Sequence, residues 1–105
     1  MSVEIFIELA KAQLNNERRV MATVATVRGS TPRGPGARLL LRPDGTFSGT
    51  IGGGCGEAEI WQEAMETMVD GKPRIVTVDL TEPVDGDDKI CGGIFEVFIE
   101  RVSGS

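Results

Sequence analysis

A single thiol, Cys55, stands in the run Gly52-Gly53-Gly54-Cys55-Gly56-Glu57, between a strand-like segment, Phe47 to Ile51, and a helical pattern downstream. In that pattern Ala58, Ile60, Trp61, Ala64, Met65, Met68 and Val69 fall on one stripe of helical period. Strand, glycine turn and helix together make a nest of free backbone N–H groups over the helix start, a place that favours an anion. A helix N-terminus also lowers a thiol's pKa, so Cys55 is expected to carry thiolate at neutral pH. The spacing is neither a dinucleotide fingerprint nor a Walker loop, since no lysine and hydroxyl follow. The competing possibility is a tight turn in which Cys55 is a small buried hydrophobe. Three consecutive glycines are conformationally costly, however, and a plain turn does not need them.

Two further glycine-rich turns carry polar groups. Gly29-Ser30-Thr31-Pro32-Arg33-Gly34-Pro35-Gly36 combines hydroxyls at Ser30 and Thr31 with the guanidinium of Arg33, the parts of a phosphate or carboxylate clamp. An ordinary surface loop with an exposed arginine has the same composition. Cys91-Gly92-Gly93 precedes the last strand and mirrors the Cys55 turn; its bland counterpart is a buried cysteine beside a bulge. Were the sheet to bring both cysteine turns to one end, the thiols would be placed to share a soft metal, hold a sulfur atom or cycle as a redox pair. Glu57 and Glu59 are accounted for by the helix dipole, with proton acceptance from Cys55 a lesser alternative for Glu57. The Asp85-Gly86-Asp87-Asp88 run lacks the length and spacing of a calcium loop and reads as a solvated turn.

The elements that must position these turns follow from periodicity. Ser2 is placed to cap a helix over Val3 to Asn15 whose inner face is read as Val3, Phe6, Leu9, Ala10, Gln13 and Leu14. Strands are expected over Val20 to Val27, Ala37 to Arg42, Thr46 to Ile51, Arg74 to Asp79 and Ile94 to Arg101. Pro43-Asp44-Gly45 makes a hairpin of the second and third. The second helix runs from Glu57 to Val69, stops at Asp70-Gly71, and packs Trp61 inward. The expected fold is α+β: a mixed sheet of about five strands with two helices packed on one of its faces.

Composition narrows the chemistry. The chain has 105 residues and a formal charge of −5, which argues against nucleic acid as the main ligand. Four arginines, Arg28, Arg33, Arg38 and Arg42, nevertheless fall in one segment, so a small anionic ligand is compatible with the acidic total. There is no histidine, which removes imidazole bases, Cys-His catalysis and most ordinary zinc sites. No stretch approaches the roughly 20 apolar residues that span a bilayer, and Met1 to Gln13 does not read as a signal peptide. A cytoplasmic protein with two free thiols is expected.

Taken together, the segments Ala25 to Arg33, Gly36 to Leu40, Gly49 to Glu59 and Cys91-Gly92-Gly93 resemble the XdhC/CoxI family, accessory proteins of xanthine dehydrogenase and related molybdenum hydroxylases. The resemblance runs from about Val20 to Glu100 with the motifs in order. It implies a chaperone that binds molybdenum cofactor as cargo and hands it to a xanthine dehydrogenase-type molybdoenzyme, with a sulfurase as a further partner, and a homodimer rather than a catalyst. It implies that Cys55 is the thiol near the cofactor, that Gly52, Gly53 and Gly54 hold the turn, and that Arg33 and Ser30 contact the pterin phosphate. Residues 1–105 are read as one such domain. The family's usual C-terminal Rossmann-like domain is absent from them, and Gly56 stands where a larger apolar residue is expected.

Two other functions suit the same residues. One is a thiol-dependent sulfur-transfer or redox protein using Cys55 and Cys91, for which a readily formed intramolecular disulfide is the signature. The other is a regulatory interaction domain without ligand binding.

Overall fold

The computed structural model describes residues 3–31, 33–51, 56–81 and 92–104. The Ser2 cap, Gly52 to Cys55, and the loop holding Asp85, Asp87, Asp88 and Cys91 lie outside the described residues. The chain folds as α1 (Val3–Leu14), β1 (Arg19–Arg28), β2 (Arg38–Leu41), β3 (Phe47–Gly49), α2 (Glu57–Asp70), β4 (Arg74–Asp79) and β5 (Ile94–Ser103). The strands form one sheet in the order β3-β2-β1-β5-β4. The α+β arrangement of five strands and two helices is the expected one. Every pairing is antiparallel where a mixed sheet was anticipated. The pairs β1-β2, β2-β3 and β4-β5 join neighbours in sequence, while α2 carries the chain from the β3 edge to the β4 edge so that β5 closes antiparallel between β4 and β1.

The helices lie on opposite faces of the sheet rather than on one. Strand side chains alternate, so Leu39 and Leu41 point to one face and Leu40 to the other. Leu39 and Leu41 join Val20, Ala22, Val24, Phe95, Val97 and Ile99 under Ile60, Ala64 and Met68 of α2. Leu40 and Met21 meet Ile5 of α1, with Leu9 and Val102 packed alongside. A continuous Leu39-Leu40-Leu41 run is what a strand covered on both faces requires.

The inner face of α1 also differs from the periodic reading. Ile5 and Ala12 are buried, whereas Val3 is 70% and Leu14 86% exposed. The displaced stripe is explained by Glu8, which lies on the inward side. Its carboxylate accepts hydrogen bonds from Arg42 Nη2 at 2.7 Å and Arg19 Nε at 3.0 Å. A charged residue at an inward position inverts a reading that assigns charge to solvent.

On α2 the buried residues are Ile60, Ala64, Thr67 and Met68, one narrow stripe of the broader set read from the sequence. Trp61 is 40% exposed instead of packed inward. Its indole N–H donates to the Gly45 carbonyl at 2.9 Å, tying α2 to the hairpin turn. That turn is built as expected: Gly45 has φ +88°, and its N–H closes onto the Arg42 carbonyl at 3.0 Å. Gly71 ends α2 in the left-handed conformation, with its N–H donating to the Thr67 carbonyl.

Candidate functional site

Antiparallel pairing places the segments that lead into and out of all three glycine turns at one end of the sheet. Arg28, at the end of β1, pairs with Ile94, at the start of β5, which in turn pairs with Asp79 at the end of β4. Leu39, one residue into β2, faces Gly49 at the end of β3. The Gly29 to Gly36 loop, the segment after β3 that leads to Cys55, and Gly92-Gly93 therefore share this end.

Close backbone approach seals two of these turns together. Gly93 is buried against the Ser30 carbonyl so tightly that a Cβ there would overlap the oxygen. Gly93 O accepts from Leu80 N–H at 2.8 Å, and Gly92 N–H donates to the Leu80 carbonyl at 3.0 Å. Ser30 is thus placed through its backbone, beside the residues that follow Cys91.

The Cys55 turn is framed by residues on both sides of it. Thr50 Oγ1 donates to Glu57 Oε1 at 2.8 Å, clasping the end of β3 to the first turn of α2. Glu57 therefore has a structural partner in addition to the helix dipole. Gly56 has φ +72°, a left-handed backbone that favours glycine, and a Cβ would come within 2.6 Å of Val78 Cγ1. The glycine at a position where a larger residue was expected is explained by this contact with β4.

A cavity of about 490 Å³ opens beside the first loop. It is lined by Arg33, the segment Gly34 to Ala37, Arg38, Gly49, Thr50 and Ile5. Arg33 lines it, and Ser30 is not among the lining residues. Thr50 belongs to the cavity and to the clasp on Glu57, so the cavity adjoins the approach to Cys55. Gly49, φ +91°, has no room for a Cβ against the Arg38 carbonyl, which keeps β3 pressed onto β2 at the cavity wall.

Arg38 and Thr50 are the residues that sequence reasoning did not assign to the site. The four clustered arginines separate in space. Arg42 is engaged with Glu8, whose hydrogen bond raises its pKa, while Arg28 lines a small groove with Thr26 and Glu96. Arg33 and Arg38 share the cavity, whose lining among the described residues contains no carboxylate. In a chain of net charge −5, that is a local positive field suited to an anion.

Comparison with known proteins follows from this geometry. The family model described as "XdhC and CoxI family" matches residues 12–79. The chain is 38% identical over 100 residues to YqeB of Escherichia coli, itself uncharacterized, covering 92% of this chain and 18% of that protein. It is 32% identical over 83 residues to PaoD of Escherichia coli, a molybdenum cofactor insertion chaperone, covering 79% of this chain and 26% of PaoD. The crystal structure of a xanthine dehydrogenase from Bacillus halodurans superposes with a TM-score of 0.78 at 34% identity, over 98% of this chain and 31% of that one. The chain thus spans about a fifth to a third of the length of these relatives. With the family model matched from the last turn of α1 through β4, the chain belongs to the XdhC and CoxI family.

Proposed function

We propose that this domain serves the maturation of xanthine dehydrogenase-type molybdoenzymes by binding molybdenum cofactor as cargo at the glycine-turn end of the sheet. The observation that carries this reading is the gathering of the approaches to the three turns at one end, beside a cavity lined by Arg33. Family membership and the similarity to PaoD support molybdenum cofactor as the cargo. Cys55 is the soft ligand offered to the metal end, Gly52, Gly53 and Gly54 let the backbone approach it, and Arg33 and Ser30 serve the phosphate end. The domain itself turns over no substrate in this reading.

The wider setting is proposed on the same ground. The partners are a xanthine dehydrogenase-type enzyme and a sulfurase, and the compartment is the cytoplasm. Among the described residues no helix is long and apolar enough to cross a membrane. Self-association as a homodimer is supported by the exposed apolar residues Val3, Phe6, Ile7 and Leu14 of α1.

The decisive experiment is anaerobic titration of isolated molybdenum cofactor into the wild-type chain, Cys55→Ala and Arg33→Ala. Stoichiometric binding that weakens in both variants supports the reading; no binding by wild type removes it.

A second reading has one observation in its favour: the chain enters both cysteine segments at the same end of the sheet. On that reading Cys55 and Cys91 form a redox or sulfur-transfer pair. Mass spectrometry after mild oxidation decides it, since the pair requires a readily formed intramolecular disulfide.

A further inference from the structure

We propose that the cavity beside the first glycine loop is a phosphate-monoester site in which Arg33 and Arg38 grip one dianionic group, with Phe6 of α1 positioning Arg38. As a subsite of the cargo this rests on the reading above; as an anion site it stands on the cavity itself. Two guanidiniums line the cavity, and among the described residues no carboxylate does. A phosphate monoester carries close to two negative charges at neutral pH and offers three acceptor oxygens, matching two forked donors. Gly34, Gly36 and Thr50 border the same space, but the Gly36 N–H is donated to the Val24 carbonyl and the Thr50 hydroxyl to Glu57, so the two guanidiniums are the donors that carry the site.

Arg38 is held in place by both ends of its residue. Its backbone pairs with Thr23 in the sheet, and its carbonyl is pressed by Gly49. Its guanidinium carbon stands 5.8 Å from the centroid of the Phe6 ring. A cation over an aromatic face is attracted by the ring quadrupole and loses less freedom when it closes on a ligand. Arg33, by contrast, is carried by the loop, whose shape is fixed in part by Thr31 Oγ1 donating to the Arg33 carbonyl at 2.9 Å. One cation is thus preset and the other arrives on a loop.

Phenyl phosphate and phenyl sulfate are the probes, titrated by calorimetry into the full chain and followed by the Arg Nε–Hε resonances. Wild type is expected to bind the phosphate saturably and at least several-fold more tightly than the singly charged sulfate. Arg33→Gln and Arg38→Gln each weaken phenyl phosphate about tenfold, the size of one lost charge-assisted hydrogen bond. Phe6→Leu weakens it several-fold and moves the Arg38 resonance, and Phe6→Tyr restores both. Arg28→Gln, the same charge change outside the cavity, leaves binding unchanged.

Absence of saturable binding, an equal loss in Arg28→Gln, or full binding in Arg38→Gln overturns the site. Arg33→Gln lies on an exposed loop and keeps the test decisive should Arg38→Gln fold poorly. Phenyl phosphate binding without cofactor binding sinks the cargo reading and keeps the anion site. Cofactor binding that is indifferent to Arg38 sinks the site and keeps the cargo reading.

Discussion

Gly93 sits against the carbonyl of Ser30 with no space for a side chain, so the loop after β1 and the entry to β5 close onto each other backbone to backbone. Gly92, one residue earlier, has φ +80° but open space around its Cα. The two glycines are therefore needed for different reasons, and alanine separates them. Gly92→Ala pays only for a left-handed backbone, about 1 kcal/mol. Gly93→Ala forces the Ser30 turn away and costs about 2–3 kcal/mol, the range of overpacking in a close-packed site. Urea unfolding of the two variants gives this order, and equal losses would show that the Ser30 contact does not constrain the loop.

Gly56 makes a comparable demand on the start of α2. Gly56→Ala meets both the positive φ and the Val78 side chain, for a combined loss of about 2–4 kcal/mol. Val78 is buried between α2 and the sheet, so Val78→Ala alone is also destabilising. In the double variant the shortened residue 78 makes room for the new Cβ. The combined loss should then fall short of the sum by about 1 kcal/mol, within the coupling seen for residues in contact. Strict additivity in a double-mutant cycle would mean that only the backbone, and not Val78, excludes a side chain there.

Glu8 makes the attachment of α1 dependent on pH. Hydrogen bonding from Arg42 lowers its carboxyl pKa below the ordinary 4.5, partial burial opposes this, and the Arg19 hydrogen bond and both positive charges add to the lowering. A depressed carboxylate contributes stability that is fully present above its ordinary pKa and is lost as the pH falls through the folded value. Glu8→Gln removes that contribution. The variant should be less stable by about 1–2 kcal/mol at pH 7, with a shallower decline in stability below pH about 4.5. Thermal melts of both proteins across the acid range test this. Parallel curves would place the acid sensitivity elsewhere, for example at Asp70, whose carboxyl is held low by Arg74.

Much of this architecture is legible in the residues themselves, and its gaps have physical causes. Arg74 to Asp79 is a strand with the bounds its alternation predicts, and Pro43-Asp44-Gly45 turns where its φ preferences require. The facing of α1 is not legible, because Glu8 is satisfied by Arg19 and Arg42 from distant parts of the chain, and a helical period contains no record of them. The separation of the helices onto two faces is written in Leu39-Leu40-Leu41, but a short apolar run is equally compatible with a buried helix segment. At the site, Arg33 announces itself through its glycine loop. Arg38 does not, because only the pairing of β1 with β2 carries it to the same cavity.

The misread face of α1 yields the last prediction. Val3, Ile7, Ala10 and Leu14 recur at spacings of four, three and four, a helix-pairing seam, on the side opposite Ile5 and Ala12. Glu4 in the first turn and Lys11 in the last flank this seam on the same side. When two such helices pair antiparallel about a twofold axis, like flanks adjoin, so Glu4 of each copy is brought beside Lys11 of the other. The helix dipoles also oppose, which favours the same arrangement. If the proposed homodimer uses this face, Ile7→Glu and Leu14→Glu should each shift sedimentation equilibrium toward monomer by at least tenfold in dissociation constant, since a carboxylate buried in an apolar seam costs more than about 1.4 kcal/mol. Both positions are exposed in the single chain, so circular dichroism and melting temperature should change little. A wild-type chain that stays monomeric at high concentration, or variants that associate as well as wild type, would remove α1 as the dimer surface.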